Sequence, residues 1–171
     1  MRLLAALLVS SPLLAQAVSL GLRAGIPITP ALTAEAPPHA STPRFTAGAL
    51  VEFRLWRGAG LGADFLMNRS DKVWRWELPV TFIYRFRAPA RPFVRAGISL
   101  DRVLEDGSLA ELRHRGTSGF VAGGGLGFRI ERLRLEPEVR LTRWIDRNFG
   151  VRDSAVRSNL SQIELLVGVI L

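Results

Sequence analysis

Residues 73–87 read VWRWELPVTFIYRFR, with apolar and polar positions in alternation. Trp74, Trp76, Leu78, Val80, Phe82, Tyr84 and Phe86 share one parity, and Arg75, Glu77, Thr81 and Arg85 the other. Successive side chains of a strand point to opposite faces, so this period predicts a strand with one apolar and one polar side. A helix would scatter the same charges around its circumference, and Pro79 would break it. The stretch also outruns an ordinary strand of about 5–6 residues. From Trp74 to Phe86 an extended chain covers roughly 40 Å, and a tilt of about 40–45° leaves a rise of roughly 30 Å. Aromatic rings at both ends of the apolar face, at that separation, predict a strand that crosses a membrane, with lipid on one side and a polar lumen on the other.

The same alternation recurs along the chain. Val18, Leu20, Leu22 and Ala24 alternate with Ser19, Gly21, Arg23 and Gly25 in a first strand. A second covers 44–56, with Phe45, Ala47, Ala49, Val51, Phe53 and Leu55 opposed to Thr46, Gly48, Glu52 and Arg54. In the third, Leu61, Ala63, Phe65 and Met67 alternate with Gly62, Asp64 and Asn68; the stretch at 73–87 is the fourth. Val94, Ala96, Ile98 and Leu100 set against Arg95, Gly97, Ser99 and Asp101 give a fifth. The sixth spans 117–130, with Phe120, Ala122, Leu126, Phe128 and Ile130 against Gly119, Gly123, Gly125, Gly127 and Arg129. After a minimal hairpin at Glu131-Arg132, Leu133, Leu135, Val139 and Leu141 interleave with Arg134, Glu136, Glu138, Arg140 and Thr142. The eighth strand places Ile163, Leu165, Val167, Val169 and Leu171 opposite Glu164 and Gly168.

Long connections follow strands one, five and seven, and brief turns follow strands two, four and six; the connection at 68–72 is shorter than this rhythm wants. An even strand count with alternating loop lengths predicts an all-β fold, an eight-stranded antiparallel up-and-down transmembrane β-barrel with both termini on the short-turn, periplasmic side. Pro79 and Pro137 fall inside strands, where each removes a ladder hydrogen bond, so local bulges are expected there.

Residues 1–17 stand outside this pattern. Arg2 precedes an apolar run over 3–14, and Ala15-Gln16-Ala17 has the small-x-small form of a cleavage site. This predicts a signal peptide over 1–17, export, and a barrel domain over 18–171. No other stretch approaches the roughly 20 apolar residues of a membrane helix, which leaves a closed barrel as the way to span lipid. The absence of cysteine excludes disulfides and thiolate metal sites. A net charge of +8 raises the question of nucleic acid. The basic residues are dealt out singly, nearly all as arginine with Lys72 the one lysine, and export separates the chain from most nucleic acid. That partner is excluded.

Alternation does not say which face meets lipid, and a soluble lipocalin-like barrel would turn its rings inward around a ligand. Volume decides between the two. The bore of an eight-stranded barrel is just wide enough to be filled by side chains. Trp74, Trp76, Phe82, Tyr84, Phe86, Phe53, Phe65, Phe120 and Phe128 are too bulky for it. The other face mixes charges with Gly21, Gly48, Gly62, Gly97, Gly123, Gly125, Gly127 and Gly168, and small positions let large neighbours pack. The predicted luminal network is Arg23, Glu52, Arg54, Asp64, Arg75, Glu77, Arg85, Arg95, Asp101, Arg129, Arg134, Glu136, Glu138, Arg140 and Glu164. Charges so enclosed persist only when paired, which predicts a salt-bridged plug instead of an open channel.

Taken together, the export signal, the eight strands and the alternating connections resemble the small outer-membrane barrels of the OmpA/OmpX type. The resemblance covers 18–171 and is architectural. It implies outer-membrane localisation, insertion by the barrel-assembly machinery, and a monomer with a structural or surface-interaction role. Where that family commonly ends in Phe or Trp, this chain has Leu171.

No constellation predicts catalysis, a cofactor or a metal. Gly123-Gly-Gly-Leu-Gly127 has the wrong spacing for a dinucleotide fingerprint, and no Gly-Lys-Ser/Thr occurs. Lipid A-modifying barrels use His with Ser and a carboxylate, and His39, Ser41 and Glu35 are near one another in sequence. They sit in a proline-rich loop, whereas a triad needs rigid geometry. His114 also falls in a predicted loop. At the outer rim, Arg69, Lys72, Arg113, Arg115, Arg147 and Arg152 are expected to meet lipopolysaccharide phosphates, because guanidinium matches phosphate geometry.

Overall fold

The computed structural model describes residues 18–29, 32–34, 44–70, 73–104, 116–146 and 156–171. The expected signal peptide at 1–17 lies outside them, as do His39 and His114. In chain order the strands are β1 (Val18–Thr29), β2 (Leu32–Ala34), β3 (Phe45–Arg54), β4 (Ala59–Ser70), β5 (Val73–Arg85) and β6 (Phe93–Leu104). They continue with β7 (Gly116–Gly125), β8 (Phe128–Ile130), β9 (Leu133–Trp144), β10 (Val156–Ser158) and β11 (Ser161–Ile170).

Neighbour pairs run β11-β1-β3-β4-β5-β6-β7-β9, every pair antiparallel, and β9 returns to β11 to close a barrel of eight strands. Closure leaves no strand edge, so the backbone polar groups of the wall are satisfied within the wall. The short β8 continues β7 along β9, and β2 pairs with β10 beyond the opposite end. The turns at 55–58, 86–92 and 131–132 lie at one end, with both Val18 and Leu171; the long connections lie at the other. No helix among the described residues is long and apolar enough to cross a membrane.

Parity is inverted with respect to a soluble protein. Leu22 is 68% exposed and Phe120 64%, whereas Arg140 and Glu164 are fully buried. Trp74, Phe82, Tyr84 and Phe86 all point outward. Edge-on packing of Phe45 on Trp74 and of Tyr84 on Phe86 marks the two ends of this outer surface, with centroids 6.0 and 5.0 Å apart.

Two details differ from the sequence reading. The third strand runs on to Ser70 while the fourth begins at Val73 as expected, so the connection is shorter than the 68–72 loop anticipated. No bulge forms at either internal proline. Ala63↔Val80 and Leu66↔Glu77 belong to one register across β4 and β5, and Pro79 keeps its place opposite Ser99 on β6. Pro137 likewise stays opposite Val167 on β11. A strand residue directs its N–H to one neighbour only, so a proline removes one rung on that side and leaves the other ladder whole. At Pro137 the affected side is the gap between β7 and β8, where Leu126 N–H still donates to the Pro137 carbonyl at 3.1 Å. The register shift that does occur lies between Pro27 and Thr29, at the outer end of β1.

Candidate functional site

Strand parity brings thirteen of the predicted luminal residues into one interior: Arg23, Arg75, Arg85, Arg95, Arg134 and Arg140, with Glu52, Asp64, Glu77, Asp101, Glu136, Glu138 and Glu164. All are buried except Arg85 and Arg134, which are partly so. Six guanidiniums thus face seven carboxylates, in three layers.

The central layer joins β1, β4, β6 and β9. Arg140 donates to Asp64 at 2.6 Å and to Glu138 at 2.9 Å. Arg23 pairs with Asp64 and lies 3.3 Å from Glu138. Arg95 lies 3.6 Å from Asp64 and 3.3 Å from Glu138. Three guanidiniums share two carboxylates here, so donors outnumber acceptors. Gly123 is what admits the layer, since a Cβ there would stand 2.9 Å from Glu138 Oε1 and 3.4 Å from Arg95 Cγ.

Toward the short turns, Arg85 donates to Glu52 at 2.7 Å and to Glu136 at 3.1 Å. Arg134 pairs with Glu52, and its Nε lies 2.8 Å from Glu136. Charges balance two against two. The Phe93 ring packs beside them, with the guanidiniums of Arg85 and Arg95 5.8 and 5.5 Å from its centroid.

Toward the long loops the balance changes. Arg75 reaches Asp101 at 3.0 Å, Gln162 at 2.6 Å and Glu77 at 3.6 Å. Neutral donors carry the rest. Ser99 donates to Glu77 at 2.8 Å, Thr46 to Glu164 at 2.6 Å, and the Thr117 N–H to Asp101 at 2.8 Å. The Asn68 amide is 3.3 Å from Glu77. Trp144 donates to Gln162 at 3.3 Å and receives the Arg75 guanidinium 5.1 Å from its ring centroid.

Arg54 and Arg129, predicted as members of the network, are exposed at the short-turn mouth and make no ion pair among the described residues. Two luminal rings, Phe93 and Trp144, escaped the sequence reading, although Phe93 shares parity with Arg95, and Trp144 with Arg140 and Thr142. Of the outer-rim cations, Arg69 lies on the outer face of β4 with its guanidinium 5.3 Å from the Trp74 ring centroid. Lys72, Arg113, Arg115, Arg147 and Arg152 lie outside the described residues. Parity adds Arg102 and Arg143 to the outer face at that end, Arg143 donating to Ser161 at 2.6 Å. Among the described residues no group of His, Cys, Asp and Glu could hold a metal ion.

The fold is that of known eight-stranded outer-membrane barrels. Neisserial surface protein A (NspA) superposes with a TM-score of 0.66 at 16% identity, over 90% of this chain and 95% of that one. The N-terminal β-barrel domain of Pseudomonas aeruginosa OprF gives 0.63 at 15% identity, over 90% and 95%. The outer membrane protein OprG from Pseudomonas aeruginosa gives 0.53 at 8% identity, over 90% and 94%. No family model matches the chain, and no curated protein matches it in sequence.

Proposed function

We propose that this chain is an outer-membrane barrel with a closed lumen, non-enzymatic and monomeric, serving a structural or surface-interaction role. The observation that carries the reading is the inverted surface. A wall whose outer face holds Leu22, Ile98, Phe120 and Val139 at 68%, 53%, 64% and 53% exposure needs lipid around it. The three charged layers occupy the bore, which supports a sealed cylinder over a pore. The short turns face the periplasm and the long loops face outward, as in bacterial barrels generally. Insertion would use the barrel-assembly machinery, after export directed by residues 1–17.

The test is envelope fractionation followed by gel mobility of boiled and unboiled samples. The expected result is recovery with the outer membrane and a band that shifts only on heating. Extraction without detergent would replace this reading with the soluble barrel.

At the outer rim, Arg69, Arg102 and Arg143 point into the lipid interface, where lipopolysaccharide phosphates would lie. Lys72, Arg113, Arg115, Arg147 and Arg152 would extend the same contact from the connecting loops. Replacing Arg69, Arg102 and Arg143 together by serine is expected to lower co-purifying lipopolysaccharide several-fold. Unchanged co-purification, assayed by its phosphate content, removes this contact.

A further inference from the structure

At the short-turn mouth the barrel opens into a cavity of about 650 Å3, lined by Arg54, Arg85, Arg87, Arg91, Arg129 and Arg134 with Glu136 as its one carboxylate. The luminal network leaves most of this charge unanswered. Arg85 and Arg134 are held by Glu52 and Glu136, whereas Arg54, Arg87, Arg91 and Arg129 make no ion pair among the described residues. Four uncompensated guanidiniums therefore face one concavity from three separate hairpins.

Local hydrogen bonds hold two of them in place. Arg91, in the left-handed region at φ 40°, donates its N–H to the Ala88 carbonyl at 2.9 Å. Gly127 N–H, beyond the last rung between β6 and β7, donates to the carbonyls of Ala90 and Arg91 at 3.0 and 3.2 Å. The 86–92 turn is thus pinned against β8, with Arg87 and Arg91 on the cavity wall. A cavity of this size falls within the range of about 300–1,000 Å3 typical of ligand sites. Like charges set in low-dielectric walls concentrate counter-ions, and the guanidinium fork fits phosphate oxygens in pairs.

We infer that the short-turn mouth is a binding basin for a phosphate-bearing anion. The phosphate comes either from anionic lipid of the adjoining leaflet or from a soluble phosphorylated molecule. Phe86 lines the cavity and also belongs to the outward aromatic surface, so the basin adjoins the lipid interface.

The experiment compares two matched charge deletions at this end. Arg87→Gln with Arg91→Gln removes two cavity-wall cations, one of them at positive φ. Arg57→Gln with Arg132→Gln removes two exposed turn cations outside the cavity, one of them likewise at positive φ. Each folded barrel, checked by heat-shifted gel mobility, is titrated calorimetrically with inorganic pyrophosphate in a non-ionic detergent. In a second arm, retention of phosphatidylglycerol from mixed phosphatidylcholine nanodiscs is measured by native mass spectrometry. Saturable, salt-sensitive binding to the parent barrel is expected in at least one arm, weakened tenfold or more by the cavity-wall pair and less than twofold by the other. Pyrophosphate alone would assign a soluble ligand and phosphatidylglycerol alone a lipid headgroup; either supports the basin. A parent barrel that binds neither probe overturns it, and so does equal weakening by the two pairs. Should the cavity-wall pair fail to fold, Arg54→Gln with Arg129→Gln replaces it under the same criteria.

Discussion

The two ends of the lumen hold buried charge by different means. At the short-turn end, Arg85 and Arg134 meet Glu52 and Glu136 in direct bridges, two against two, partly open to the mouth. At the long-loop end, Arg75 is the lone guanidinium among Glu77, Asp101 and Glu164, and Thr46, Ser99, the Thr117 backbone and Asn68 supply what cations do not. The contrast shows that pairing is one of two ways to enclose a carboxylate. A dense shell of neutral donors also compensates desolvation, because each bond to a charged group is worth about 1.5–3 kcal/mol. It cannot be trimmed without leaving an ion exposed to a low dielectric.

The largest effect should come from the layer both ends rest on. Arg140→Ala takes a fully buried cation from Asp64 and Glu138, and the expected loss is about 3–5 kcal/mol in urea unfolding of the refolded barrel. An unchanged midpoint would rule out the salt-bridged plug. The ends themselves are separated by Arg75→Gln and Arg134→Gln in the same assay. Loss of Arg75 takes the bridging cation from Asp101 and Glu77 and should cost about 3 kcal/mol. Loss of Arg134, which is partly exposed and whose partners keep Arg85, should cost about 1 kcal/mol. Equal losses would erase the distinction between the ends. The smallest effect belongs to Glu164→Gln, which removes a surplus carboxylate while keeping an acceptor for Thr46; a change within about 1 kcal/mol is expected. Glu52→Gln, which strips three bridged arginines of a shared partner, should instead cost about 2 kcal/mol. A Glu164→Gln loss as large as that of Glu52→Gln would show that the acidic end depends on ionised Glu164.

Much of this was legible because a strand writes its two environments into alternate letters. The run around Trp74 to Phe86 fixes direction, length and face at once, and thirteen luminal charges follow from parity alone. Parity carries no height, however. Arg54 and Arg129 stand on the luminal side of their strands, but so near the mouth that the side chains project into solvent. For the same reason Arg102, beyond the last position that the alternation assigned to the fifth strand, is an outward-facing residue of a longer strand. Phe93 and Trp144 were hidden differently. Each lies at a strand end beside luminal charges, where a ring covers ion pairs, and hydrophobicity read without parity assigns such residues to lipid. The prolines misled in the opposite direction. A missing N–H suggested displaced backbone, whereas only one of the two flanking ladders was affected.

That last point makes the circumference uneven. Between β4 and β5, and again between β7 and β9, one N–H that should stitch adjacent staves is absent, while the joint where the chain's two ends meet is irregular only at its outermost turn. The seams opposite Pro79 and Pro137 thus each lack a rung that the closing joint between β1 and β11 keeps.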